Sequence, residues 1–233
     1  MKGKMETLLP AFIFLCCGIL LSGKAVGEDQ PKGTEFQIQQ TLIQILGEQD
    51  AARYQEILSP EKPNSWEVYF PDNDSTEVPG VMVYVSPQKS GEIDSRWRAV
   101  MNQQNLIYIA ANNSGNRIPV DRRMVLAIMA LRVLEQRYLF AGDRINVSGF
   151  SGGGRVASML ASQYPEIFTG ALYICGVDFW RTKQTAKIER LLQNRFVFLT
   201  GAKDFNRDET RKDMHDRPPS KRAAWLTETV ATE

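Results

Sequence analysis

Histidine is almost absent from this chain: His215 is the only one in 233 residues. Any chemistry that needs an imidazole rests on that side chain, and metal sites built from several histidines are excluded. Cysteine is nearly as scarce, with three in all. Cys16 and Cys17 lie in an N-terminal apolar segment, which leaves Cys175, and a lone thiol closes no internal disulfide. With only carboxylates left as ligands, no metal site and no cofactor are expected. A surplus of one charge is also missing: 28 basic residues face 27 acidic ones, for a net charge of +1. That balance gives no overall field for nucleic acid or an anionic membrane surface. No repeat of solenoid length occurs, and no basic run is interleaved with aromatics. The fold must stand on an apolar core, and 43% apolar residues supply enough for one α/β domain.

The amino end reads as an export signal. Lys2 and Lys4 precede an apolar stretch from Leu8 to Leu21, and Ala25-Val26-Gly27 puts small residues before the polar Glu28-Asp29-Gln30. This is the layout of a cleaved secretory signal over residues 1–27. A membrane anchor is the competing reading, but the stretch contains Pro10 and is short of the ~20 residues that span a bilayer. A lipid anchor on Cys16 or Cys17 is disfavoured by Leu15, where a small residue is wanted. The expectation is a secreted or periplasmic protein with no stable membrane insertion after cleavage.

Downstream, apolar runs alternate with helical patterns. Phe36 to about Leu58 reads as a loose helix, with Ile38, Leu42, Ile43 and Ile45 as its apolar positions. Strands are expected at Trp66–Phe70, Val81–Val85, Leu106–Ala110, Arg144–Ser148, Ala171–Cys175 and Phe196–Thr200. Helices are expected at Arg96–Gln104, from an Asp121 cap to Tyr138, at Gly152–Tyr164 and from Thr182 to Gln193. This alternation predicts a mainly parallel sheet with helices on both faces. From Asp204 onward charges crowd together and Pro218-Pro219 interrupts the pattern. That tail reads as a solvated helix with a loose end and no strand. Residues 28–205 are therefore taken as the domain and 206–233 as a charged C-terminal segment.

The sharpest chemical signal is Gly149-Phe150-Ser151-Gly152-Gly153, a G-x-S-x-G string. An apolar strand, Ile145-Asn146-Val147, leads into it, and a helix carrying Val156, Met159 and Leu160 leads out. Such a turn holds a serine above the sheet at a helix N-terminus, where amide donors and the helix dipole favour developing negative charge. Ser151 is then the nucleophile, and the Gly152 N–H is one oxyanion donor. A plain glycine-rich turn is the bland alternative. A phosphate loop fits poorly, because Arg155 and Val156 stand where lysine and a hydroxyl residue are needed.

Val147-Ser148-Gly149-Phe150-Ser151-Gly152-Gly153-Gly154-Arg155, with Pro165-Glu166-Ile167-Phe168 downstream, resembles the α/β-hydrolases of the secreted esterase and polyhydroxybutyrate-depolymerase kind. The resemblance runs over roughly residues 81–205 by order of elements. It implies a three-layer α/β-hydrolase fold and a serine hydrolase acting on small or polymeric esters. It also implies a triad in the order serine, acid, histidine. By position the acid is Asp204, just after the strand Phe196–Thr200, with Asp178 as the alternative. The base, if there is one, is His215, the one histidine; the alternative is that His215 is an exposed residue in a charged segment. It follows Asp204 by 11 positions (215 − 204) with no strand between, whereas the resembling family places a further helix and strand before its histidine. The last strand is therefore expected to be missing, and the carboxyl end truncated or replaced.

The second oxyanion donor belongs after Val81–Val85. Pro87 has no N–H, so Gln88 is the candidate. Asn112-Asn113-Ser114-Gly115-Asn116 either lines a substrate cleft or turns the chain. A catalytically impaired relative that binds a ligand is the alternative function.

Overall fold

In the computed structural model, residues 30–178, 188–215 and 227–230 are described. The segment expected to be an export signal lies outside them, as does most of the helix expected from Thr182. The strands are β1 (Glu35–Gln40), β2 (Asn64–Tyr69), β3 (Gly80–Val85), β4 (Leu106–Ala111), β5 (Ile145–Phe150), β6 (Gly170–Ile174), β7 (Arg195–Gly201) and β8 (Thr227–Val230). They form one sheet in the order β1-β2-β4-β3-β5-β6-β7-β8. β2 runs antiparallel to both neighbours, and every pair from β4–β3 onward is parallel.

The helices are α1 (Leu42–Leu46), α2 (Glu48–Ala51), α3 (Ser95–Gln104), α4 (Val120–Glu135), α5 (Gly152–Gln163), α6 (Ile188–Leu191) and α7 (Arg207–His215). Alternate residues of the central strands feed two separate cores. Val81, Val83, Val85, Ile107, Ile109 and Val147 pack with α4 and α5 on one face. Tyr84, Leu106, Tyr108 and Ala110 pack with Met101 and Trp97 of α3 on the other. This period-2 division on a sheet covered on both sides makes three layers. α4 is buried almost all round from Arg123 to Leu134. The Trp66 indole N–H donates to Leu126 O at 3.0 Å, fixing β2 to that helix. Each large apolar side chain buried this fully contributes ~1.5–3 kcal/mol.

Three expectations are corrected. Residues 35–40 form a strand and not the start of a helix: Ile38 and Gln40 are buried while their neighbours are exposed, a period of two. The helix begins only after Thr41, whose side chain and that of Gln44 close a capping box. Asp121 does not cap α4; Pro119 holds the cap position, and the Asp121 carboxylate accepts from the Arg122 N–H at 2.7 Å. The last strand is present. Thr227–Val230 pairs in parallel with Phe198–Gly201 of β7, so the charged segment continues the sheet past residue 205. Three of its four residues are β-branched, which suits a short edge strand.

The chain passes from β3 outward to β4 and then returns to lay β5 on the other side of β3. At such a reversal the loops after β3 and β5 diverge and leave a crevice at the carboxyl edge of the sheet. Ser86 and Ser151 stand at the ends of those two strands.

Candidate active site

Ser151 follows β5 directly and adopts φ 54° and ψ −121°. A residue with a Cβ reaches positive φ only when its surroundings impose it, at a cost of about 1–3 kcal/mol. Here the turn imposes it. The Ser151 N–H donates to Ile174 O at 2.7 Å, and Ser151 O accepts from the Arg155 N–H at 3.2 Å. Glycine is required on both sides of it. A Cβ on Gly149 would lie 2.3 Å from the Gly153 carbonyl carbon, and one on Gly153 would lie 1.9 Å from Val85 O. The elbow thus sits at van der Waals contact with the end of β3.

The Gly152 N–H opens α5 and donates no hydrogen bond among the described residues. It is available to a developing oxyanion at the positive end of the helix dipole. The Gln88 N–H is differently employed: it donates to Ser86 Oγ at 3.1 Å. The loop after β4 clasps this loop, with the Asn116 N–H donating to Pro87 O at 2.9 Å and the Asn113 N–H to Lys89 O at 2.7 Å. The Asn116 side chain lies against Gly152, since a Cβ there would fall 2.3 Å from Asn116 Oδ1. The polar run 112–116 therefore both turns the chain and reaches the elbow.

Beneath these loops lies a cation that the sequence reading missed. Arg123, in the first turn of α4, is 3% exposed. Its Nε donates to Ser114 O at 2.7 Å, Nη1 to Gly152 O at 3.1 Å and Nη2 to Ser86 O at 3.1 Å. Burial pulls the guanidinium down to about 10.

Asp204 stands beyond β7 on the same edge. Its Oδ2 accepts from Thr200 Oγ1 at 2.9 Å and its Oδ1 from the Asn206 N–H at 3.0 Å. Asn206 in turn donates to Cys175 O at 2.8 Å and accepts from Arg155 at 2.9 Å, so the acid loop is tied to α5 and to the end of β6. Cys175, at φ 55°, lies between the elbow and Asp204. Burial raises its thiol pKa first, and the nearby Asp204 carboxylate adds to the rise. A prediction follows from that adjacency. Asp204→Asn removes the anion, so Cys175 reacts with a disulfide reagent at pH 8 roughly threefold faster. An unchanged or slower rate in the folded variant contradicts this placement. Asp178, the alternative acid, is half-buried, and its N–H is held by Ser158 Oγ at 2.8 Å.

No family model matches the sequence, and no curated protein matches it. Solved structures do. A thermostable esterase aligns with 73% of this chain at 14% identity and a TM-score of 0.51; the chain spans about half (52%) of that protein's length. A dienelactone hydrolase-like promiscuous phosphotriesterase from metagenomic libraries aligns over 85% of this chain and 81% of its own, at 17% identity and a TM-score of 0.56. A ferulic acid esterase aligns over 87% and 92%, at 11% identity and a TM-score of 0.57. This chain has the α/β-hydrolase fold.

On that α/β-hydrolase sheet, Ser151, Gly152, Gln88 and Asp204 all lie at the carboxyl edge, after β5, β3 and β7. His215 closes α7, between β7 and β8 in the chain. The Ser151 side chain makes no cap hydrogen bond to α5.

Beside the elbow a cleft of about 770 Å³ opens between the β3 loop and α3. Tyr84, Ile93, Trp97, Tyr108, Phe150 and Ile174 give it apolar and aromatic walls, with Glu92, Asp94 and Arg96 at its polar rim. Among the described residues no cluster of three or more histidine, cysteine or acidic side chains is arranged to hold a metal. No helix among them is long and apolar enough to cross a membrane.

Proposed function

We propose that this protein is an exported serine hydrolase that cleaves carboxylic esters through an acyl-enzyme on Ser151. The observation that carries this reading is the backbone of Ser151, held at φ 54° between a β3 contact and an unengaged Gly152 N–H. A strained serine with a vacant amide donor at a helix N-terminus suits nucleophilic attack and has no evident use in plain packing. The structural neighbours named as esterases share this fold and lend the reading support.

In the proposed reaction Ser151 Oγ attacks the ester carbonyl and loses its proton to a base. The tetrahedral oxyanion takes a hydrogen bond from the Gly152 N–H. The carbon–alkoxy bond then breaks, and the alcohol leaves with the transferred proton. Water attacks the acyl-enzyme in the same way and releases the acid and free Ser151. Asp204 is the orienting acid of this scheme, His215 the base, and Gln88 the second oxyanion donor once its N–H turns from Ser86. The 770 Å³ cleft has the size of a small-ligand site and receives the apolar arm of the ester.

One observation favours a second reading, a ligand-binding relative without turnover. His215 precedes β8, and both Asp204 oxygens already accept hydrogen bonds from Thr200 and Asn206. Hydrolysis of p-nitrophenyl butyrate separates the two. The hydrolase reading expects wild-type turnover that falls ~10³-fold or more in both Ser151→Ala and His215→Ala. Turnover kept in His215→Ala assigns the proton to another acceptor and leaves Ser151 as nucleophile. No turnover by the folded wild-type chain selects the binding protein.

A further inference from the structure

We infer that Arg123 is a positioning residue that fixes the loop after β3 and the nucleophile elbow relative to each other. Its planar fork spends one donor on each of three carbonyls, and those carbonyls belong to three different loops: Ser86 after β3, Ser114 after β4 and Gly152 in the elbow. Ser86 and Gly152 lie 66 residues apart in sequence (152 − 86), and their carbonyls converge on one guanidinium. Among the described residues no carboxylate pairs with Arg123, so the cation is held by backbone oxygens alone. A residue serving only to fill the core would be apolar; burying a guanidinium is costly unless its donors are used. Here three donors are used, each on a segment that flanks Ser151.

The geometry is specific to arginine. A lysine ammonium is a point donor on a longer stem and cannot present three donors in one rigid plane to three fixed carbonyls. Beside the guanidinium, Gly153 meets Val85 O without room for a Cβ, so a small rotation of either loop is not absorbed by slack. The distance from Ser151 to any donor carried by residues 86–88 is therefore set by this three-way tie. The proposal rests on the serine-hydrolase reading for its consequence in reactivity, but the coupling of the two loops stands apart from it.

The test uses the full chain as wild type, Arg123→Lys and Arg123→Met, with folding followed by circular dichroism. Hydrogen exchange of peptides covering 84–90 and 148–156 reads the coupling, and phosphonylation by a fluorophosphonate ester reads the chemistry. In Arg123→Lys both peptides are expected to exchange at least tenfold faster together while the β6–β7 amides are unchanged. The phosphonylation rate constant per folded molecule falls at least tenfold, with the half-saturating probe concentration unchanged. A residue that only stabilised the fold would lower the melting temperature and leave that rate constant alone, which overturns the proposal. So does exchange that rises in one peptide without the other, or in neither. A wild-type chain that is folded but not phosphonylated defeats the hydrolase reading, and the exchange arm then decides the coupling by itself.

Discussion

Alanine at Gly153 is expected to cost this protein its elbow and much of its stability. The added Cβ would lie 1.9 Å from Val85 O and 2.9 Å from the Val85 carbonyl carbon, and both are backbone atoms of a central strand. Val85 cannot retreat, because it pairs with Gly149 in the β3–β5 ladder. Relief must come from pulling α5 away from the sheet, which opens the core around Val156 and Leu160. Overpacking against backbone costs ~3 kcal/mol or more, which lowers the melting temperature by ~6–12 °C in a chain of this size. The proposed ester turnover is expected to fall with it, since Gly152 and Ser151 move with the helix. Gly142→Ala is the control: nothing lies within 4 Å of its added Cβ, so it melts within ~1–2 °C of wild type. Thermal melts of the two variants check the claim, and equal melting temperatures contradict it.

Glycine at Ser151 is expected to do the opposite to stability. Ser151 holds φ 54° in a helix-entry turn that its own Cβ resists. Glycine takes positive φ without that penalty, so Ser151→Gly stabilises the fold by about 1 kcal/mol even after its greater unfolded-state freedom is counted. The same change removes the Oγ and with it the proposed acyl transfer. A variant that is more stable and hydrolyses no ester is the signature of strain maintained for chemistry. A melting temperature below wild type would show that the Ser151 backbone is not strained, and the functional reading would lose its main support.

The elbow was legible because it is local. Strand, turn and helix lie within twenty residues, and the glycines mark close approaches that the structure confirms at Gly149 and Gly153. The buried strands were legible for the same reason, as short apolar runs between turn residues. What failed depended on partners distant in sequence. Residues 35–40 were misread because Ile38 and Leu42 are four apart, which mimics a helix across a boundary that Thr41 and Gln44 actually mark. The four residues of β8 carry too little apolar pattern to announce a strand; they pair because β7 leaves an edge open.

Arg123 escaped because arginine is seldom buried, so nothing in composition points inward. A signal existed: Arg123, Ala127, Ala130 and Leu134 follow helical spacing on the buried side of α4, which puts a cation on an apolar stripe. Gln88 follows β3 in the loop after it, but the sequence could not reveal that Ser86 Oγ takes its N–H.

The proposed mechanism makes Ser151 Oγ the reacting atom. The most direct test is to treat the folded chain with a fluorophosphonate ester, digest it, and locate the adduct by mass spectrometry. Stoichiometric phosphonylation on Ser151 alone is expected, with none in Ser151→Ala. A folded chain that takes up no phosphonyl group, or carries it on another residue, would contradict it.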